Sequence, residues 1–307
     1  MRQLLKISAE MKASRPVFIV GEARSGTSIL YRTLQKHPSL RPLKPDLTET
    51  EIFSHLRRTF LFRKSYPKSL SKFMLHDEVR YRQFLRSIRA IRLVSLLSVG
   101  LNLMVRDRSD LAWYGNLNHL LLRSYFFHAW RARGCRRLIE KTPTNTAYLS
   151  RLAKAFPEAR FLYVHRHPID VFTSYRRRAR DDPEAVWAAQ LTPEDFCTSY
   201  AASTERVLGW VAEHANLMMV RYEAFTSYPE RELRSICAFL GEPFDPEMVR
   251  EPNPDLERWR GDPHLWGEIV PVTKDWRDHI EYAEAEVIQT ALADVMRRLG
   301  YRRYELP

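Results

Sequence analysis

Apolar positions along this chain follow two alternating periods. Val17 to Val20 is an unbroken apolar run, rich in β-branched residues and preceded by Pro16. Such a run predicts a strand buried on both faces. Ile29, Leu30 and Leu34 then recur at helical spacing and predict a helix. The pairing repeats downstream. Arg137 to Glu140 predicts a short strand, and Tyr148, Leu149, Leu152 and Phe156 a helix closed by Pro157. Arg160 to His165 predicts the next strand, with Pro168 suited to the first position of the following helix. Residues 195–215 predict a longer helix, Leu217 to Val220 a strand, and Pro229 to Leu240 a helix stopped by Gly241. Pro42 and Pro45 predict irregular chain after the first unit, residues 242–275 a proline-rich loop, and residues 279–299 a last amphipathic helix. Strands alternating with helices predict an α/β fold with a parallel, P-loop-like sheet flanked by helices. Ligands of such sheets bind beyond the carboxyl ends of the strands. The loop at 21–28, Lys141, Arg166 and Tyr222 all follow strand ends, so they are expected on one edge.

One region breaks the alternation. Residues 53–134 read as a basic helical insertion within a single domain spanning 1–307. Arg80, Arg82, Arg86, Arg89 and Arg92 give a charged side, and Phe84, Leu85, Ile88 and Ile91 an apolar one. The insertion suits a lid, an acceptor-binding region or a membrane-surface face. The net charge of +12 favours an anionic partner. Its basic clusters are scattered and form no tail, so a nucleic-acid arm is not indicated. The cysteines Cys135, Cys197 and Cys237 lie far apart with no C-x-x-C pair, which predicts neither disulfides nor a zinc site. No signal peptide is visible in Met1 to Ser14, and the Leu93 to Val105 run is too short to span a bilayer. A reducing, cytoplasmic setting is expected, with peripheral membrane contact left open.

The chemistry gathers at Gly21-Glu22-Ala23-Arg24-Ser25-Gly26-Thr27-Ser28. A loop feeding a helix N-terminus aims several backbone N–H groups at one spot and makes an anion site. Gly21 allows the tight turn and Gly26 a close approach. Ser25, Thr27 and Ser28 add hydroxyls, and Arg24 a fixed charge. The spacing fits an ATP-binding P-loop except that Thr27 stands where that frame needs Lys. This argues against ordinary phosphoryl transfer and against the Mg²⁺ that accompanies it. Further on, Glu49 and Glu51 lie two residues apart, either as acids of a helix start or as groups with a chemical task.

With Phe161-Leu162-Tyr163-Val164-His165-Arg166-His167-Pro168 and Ser174 in view, the chain resembles the sulfotransferases that use 3′-phosphoadenosine 5′-phosphosulfate (PAPS). The resemblance implies that Arg24, Ser25, Gly26, Thr27 and Ser28 hold the 5′-phosphosulfate. It implies that Arg166 and Ser174, eight residues apart, grip the 3′-phosphate, with Arg178 a further basic position. Val220-Arg221-Tyr222-Glu223 with Phe239-Leu240-Gly241 looks like the family's Arg-Tyr-Glu strand end and following helix end, where the Tyr lies near the nucleotide. Thr273, Lys274 and Trp276 resemble the late loop that closes over it. Glu140-Lys141-Thr142-Pro143, together with Arg at position 24, looks like the tyrosylprotein and related bacterial branches.

The activity so implied is transfer of a sulfuryl group from PAPS to a hydroxyl or amine, with 3′-phosphoadenosine 5′-phosphate (PAP) as product. Arg24 and Lys141 would meet the charge on the transferring group and leaving oxygen, and Glu49 or Glu51 would serve as base. The acceptor stays open among small molecules, glycans and lipids. His165, His167 and Asp170 read as a turn before a proline-started helix, and no metal is expected. The rival readings are a small-molecule kinase and a basic anion-binding module without catalysis.

Overall fold

The computed structural model describes residues 15–43, 49, 123, 126–127, 129–131, 133–183, 185–250, 268–271 and 275–306. Its described strands are β1 (Val17–Gly21), β2 (Leu40–Pro42), β3 (Arg137–Lys141), β4 (Arg160–His165) and β5 (Leu217–Arg221). They form one all-parallel sheet of five strands in the order β2-β3-β1-β4-β5. The fold is the expected α/β arrangement. Strand β1 lies in the middle of the order, and the chain leaves it first toward one edge and later toward the other. Its carboxyl end is therefore a topological switch point, where such sheets bind ligands.

The α-helices whose bounds are described are, in chain order, α1 (Thr27–Gln35), α2 (Leu149–Ala155), α3 (Pro168–Asp181), α4 (Val186–Ala189), α5 (Pro193–Glu213), α6 (Tyr222–Ser227), α7 (Pro229–Leu240), α8 (Glu247–Arg250), α9 (Tyr282–Ala291) and α10 (Ala293–Arg298). Three of the stretches read from the sequence differ from expectation. The single helix expected over 279–299 is two, α9 and α10, separated at Leu292. The expected loop after Gly241 contains the short α8, and residues 251–267 lie outside the described residues. The chain at Leu40–Pro42 is a strand, not irregular, pairing Leu40 with Arg137 and Pro42 with Ile139. Pro42 is tolerated because β2 is an edge strand, where a missing N–H removes no ladder bond on the open side.

The chain divides into two compact units. The first comprises Met1–Phe18, Pro38–Glu140 and Tyr148–Ala159; the second comprises Ile19–His37, Lys141–Ala147 and Arg160–Pro307. In the first, Phe18, Phe126 and Phe156 form a buried trio with ring centroids 4.6–5.6 Å apart. Most of the basic insertion at 53–134 lies outside the described residues. In the second, β4 and β5 pair from Phe161 with Leu217 to His165 with Arg221. Pro168 begins α3 as expected, and α3 buries Ile169, Val171, Phe172 and Tyr175 in a core that also holds Phe196 and Tyr200 of α5. Gly241 adopts φ 69° and stops α7, as expected. Among the described residues no helix is long and apolar enough to cross a membrane.

The end of β1 leaves no room for a side chain. A methyl on Gly21 would lie 2.5 Å from the Val164 carbonyl oxygen and 2.9 Å from Ser25 Oγ. The nearest obstacle is backbone of β4, which cannot swing aside. Gly21→Ala is therefore expected to lower stability by about 1–3 kcal/mol, the usual cost of overpacking. Urea unfolding checks this, and an unchanged midpoint would show that the strands separate at no cost.

Candidate active site

The phosphate-type loop is held by contacts within the second unit. Thr146 Oγ1 accepts from the Gly21 N–H at 3.1 Å, and its hydrogen faces the carbonyls of Gly21 and Pro143 at 3.2 and 2.8 Å. Glu22 turns its carboxylate inward, where Tyr175 Oη donates to Oε1 at 3.2 Å and Ser199 Oγ to Oε2 at 3.3 Å. Arg24 has φ 69°, a left-handed conformation rare for a residue with a side chain. Its Nε donates to Ser174 Oγ at 3.1 Å. Loop and helix α3 are thus joined at two adjacent points, Glu22 to Tyr175 and Arg24 to Ser174. The expectation set Arg24 and Ser174 on different phosphates; the structure brings them into direct contact.

Gly26 precedes α1 with φ 103°. A methyl there would lie 2.2 Å from Tyr222 Cδ2, so the ring of Tyr222 rests directly on the glycine. Thr27 and Ser28 open the helix, and the N–H groups of a first helical turn have no intrahelical acceptor. Ser25 is fully buried, and its Oγ has no hydrogen-bond partner among the described residues.

Arg166 follows β4 and Tyr222 follows β5. Because His165 pairs with Arg221, the next residue of each strand emerges beside the other. The Arg166 guanidinium lies 4.4 Å from the Tyr222 ring centroid. Arg166 Nε is buried without a hydrogen-bond partner among the described residues, and Asp170 Oδ2 is 3.9 Å away. Tyr200 Oη donates to the Arg166 carbonyl at 2.7 Å.

The other candidates vary. Lys141 ends β3 and is buried, at 3% exposure. Arg178 is ion-paired with Asp182 at 2.5 Å. Trp276 is core, in one cluster with Phe172 and Ile288, its ring parallel to that of Tyr304. Thr273, Lys274 and Glu51 lie outside the described residues, and Glu49 is half-buried in irregular chain. No His, Cys, Asp and Glu group among the described residues is arranged to hold a metal ion. His165 faces Tyr301, His167 the Arg302 carbonyl, and Asp170 Tyr304.

Sequence reasoning did not single out Glu22, Thr146, Tyr175, Ser199 or Tyr301. The polar run Thr142, Thr144, Thr146 after Lys141 was the one local signal for Thr146. The carboxylate of Glu22, sitting within an anion-binding loop, was legible but had no visible partner.

A profile of the Sulfotransferase family matches residues 16–246, so the chain belongs to that family. Three solved structures are similar to it. The sulfotransferase domain from the curacin biosynthetic pathway is 19% identical, covering 95% of this chain and 98% of that one, at TM-score 0.54. The sulfotransferase domain of the Synechococcus PCC 7002 olefin synthase is 21% identical, covering 95% of each chain, at TM-score 0.54. The sulfotransferase STF9 from Mycobacterium avium is 15% identical, covering 98% of this chain and 81% of that one, at TM-score 0.51. At such identities the likeness establishes the fold. No curated protein matches the sequence.

Burial raises the Glu22 carboxyl pKa, and the bonds from Tyr175, Ser199 and the Ala23 backbone offset this only in part. An acid whose folded pKa exceeds its unfolded one loses stability as pH climbs from the unfolded value through the folded one. Glu22→Gln keeps the shape without the charge. It is expected to melt higher than the wild type at about pH 7.5, with the gap closing toward about pH 4. Scanning calorimetry decides it; a variant that melts lower at neutral pH would mean that the charge itself stabilises the loop.

Proposed function

We propose that this chain transfers the sulfuryl group of PAPS to a hydroxyl or amine of an acceptor and releases PAP. One observation carries the reading within the family. The loop of the first motif and the Arg and Ser of the second share one constellation: Arg24 contacts Ser174, and Tyr222 contacts both Gly26 and Arg166. Two buried donors, Ser25 Oγ and Arg166 Nε, have no acceptor among the described residues. Such groups are costly to bury unless a ligand completes them. A phosphate supplies that acceptor, so these residues fit the nucleotide.

In this reading Ser25, Gly26, Thr27 and Ser28, with the first N–H groups of α1, hold the 5′-phosphosulfate. Arg166, Ser174 and Arg178 hold the 3′-phosphate, for which a guanidinium fork and a hydroxyl are suited. Tyr222, Thr273, Lys274 and Trp276 bound the nucleoside. PAPS supplies the sulfuryl group on a phosphate leaving group. The chain supplies in-line placement and positive charge from Arg24 and Lys141. Glu49 or Glu51 takes the acceptor proton. The transferring group carries less negative charge than a phosphoryl group, and Thr27 replaces the P-loop Lys, so no metal is assigned. The acceptor is a small molecule, with a glycan or lipid compatible with the basic insertion and with contact at a membrane surface. The unpaired Cys135, Cys197 and Cys237 suit a cytoplasmic location.

Calorimetry with PAP tests the nucleotide assignment. Arg166→Ala is expected to weaken binding by about 2–5 kcal/mol, the cost of truncating one partner of a buried charge pair. Unchanged affinity would sink the assignment. A thermal shift produced by ATP with Mg²⁺ and not by PAP would instead support a kinase. A mass-spectrometric screen of host extract for sulfated products identifies the acceptor. With it, the Gln variant of one of Glu49 and Glu51 is expected to lose about 10²–10⁴ in kcat, as loss of a general base does. Full turnover in both variants would place the base elsewhere.

A further inference from the structure

Arg166 sits in a turn tied down on both sides, through His165 and His167, and the ties run to residues 301–304. The His167 N–H donates to Glu223 Oε1 at 2.8 Å. Tyr301 Oη donates to Glu223 Oε2 at 3.1 Å and lies 2.9 Å from His165 Nδ1. A phenol has one hydrogen, and the carboxylate takes it. His165 must then donate from Nδ1 to the Tyr301 oxygen. Burial holds His165 at a pKa of about 4, so its ring is neutral and has that hydrogen to give. The chain of donors runs His165 to Tyr301 to Glu223, and the second Glu223 oxygen receives the N–H of His167. Arg221 completes the surround, with Nε 3.4 Å from Glu223 Oε2 and its guanidinium 4.3 Å from the Tyr301 ring centroid.

The segment after Tyr301 adds to the grip. His167 Nε2 lies 3.0 Å from the Arg302 carbonyl, and its ring stacks on Tyr304 at 4.1 Å. Tyr304 Oη donates to Asp170 Oδ1 at 3.1 Å, and Asp170 is the carboxylate beside Arg166. Gln289 fixes Tyr304 through both of that residue's backbone groups. Glu223 therefore has two holds on Arg166. It anchors the turn through His167, and it follows in sequence the Tyr222 whose ring carries the guanidinium.

We propose that Glu223 and Tyr301 are positioning residues that fix Arg166 for the 3′-phosphate, making the C-terminal segment part of nucleotide selection. This rests on the sulfotransferase reading above. Neither residue need touch the nucleotide; each acts through the Arg166 turn. A loosened turn would weaken recognition of the 3′-phosphate most, because the loop at 21–28 also has anchors of its own in Thr146 and Ser199.

The test compares PAP with adenosine 5′-phosphate, which lacks the 3′-phosphate, by calorimetry on the full chain. Tyr301→Phe removes one hydroxyl and keeps the ring over which Arg221 lies. It is expected to bind PAP about 10-fold more weakly, a loss of the size expected for one or two hydrogen bonds, with adenosine 5′-phosphate binding held within about 2-fold. Glu223→Gln keeps an acceptor for the His167 N–H and should shift the same ratio in the same direction. It also answers the question should Tyr301→Phe fail to fold. A wild type that prefers PAP, with variants that keep the full preference, overturns this inference and leaves the proposed function standing. Equal losses for both nucleotides make the role merely structural and overturn it too. A wild type with no preference for PAP overturns the proposed function, and this inference with it.

Discussion

The contact on which the site depends is the ring of Tyr222 seated on Gly26 and under the charge of Arg166. Gly26 is needed twice, because its φ of 103° excludes a side chain and because the ring occupies the space one would take. A guanidinium over an aromatic face contributes about 0.5–2 kcal/mol, more when desolvated. The energy matters less than the placement. Strand register sets it: His165 opposite Arg221 delivers Arg166 and Tyr222 side by side. A slip of β5 by one residue would turn Tyr222 away from Arg166. One strand pairing, one glycine and one ring thus locate the two motifs relative to each other.

Cations gathered for an anion repel one another when the anion is absent. This chain answers with carboxylates behind the cations. Asp170 lies beside Arg166, and Glu223 beside Arg221. Each acid is itself hydrogen-bonded, to Tyr304 for Asp170 and to Tyr301 and the His167 backbone for Glu223. Glu22 belongs to the same design but ties the loop to α3 and α5 rather than to a cation. Preorganised charge of this kind needs no rearrangement when charge develops on a substrate.

Strands β1, β4 and β5 were legible because each carries an uninterrupted apolar run, and the loop and Arg166 because their spacing is local. Gly241 and Pro168 announced helix boundaries by backbone chemistry alone. The β2 strand was not legible, since Pro42 reads as a breaker and only the edge position excuses it. The break at Leu292 was hidden because apolar periodicity carries on across it. Tyr301 could not be found at all: it meets His165 across 136 residues of chain, and no local pattern announces such a pairing. The same holds for Glu22 and Ser199, which are 177 residues apart. The acids at 49 and 51 stay a pair in the reading of function, with Glu49 in irregular chain where periodicity places no side chain.

A crystal structure of the chain with PAP tests the central claim most directly. The account predicts the 5′-phosphate against the N–H groups of Gly26, Thr27 and Ser28, and the 3′-phosphate on the guanidinium of Arg166. It also predicts that Ser25 Oγ and Arg166 Nε gain the acceptors they lack among the described residues. PAP seated away from the carboxyl edge of β1 and β4, or bound with both donors still unpaired, would contradict it.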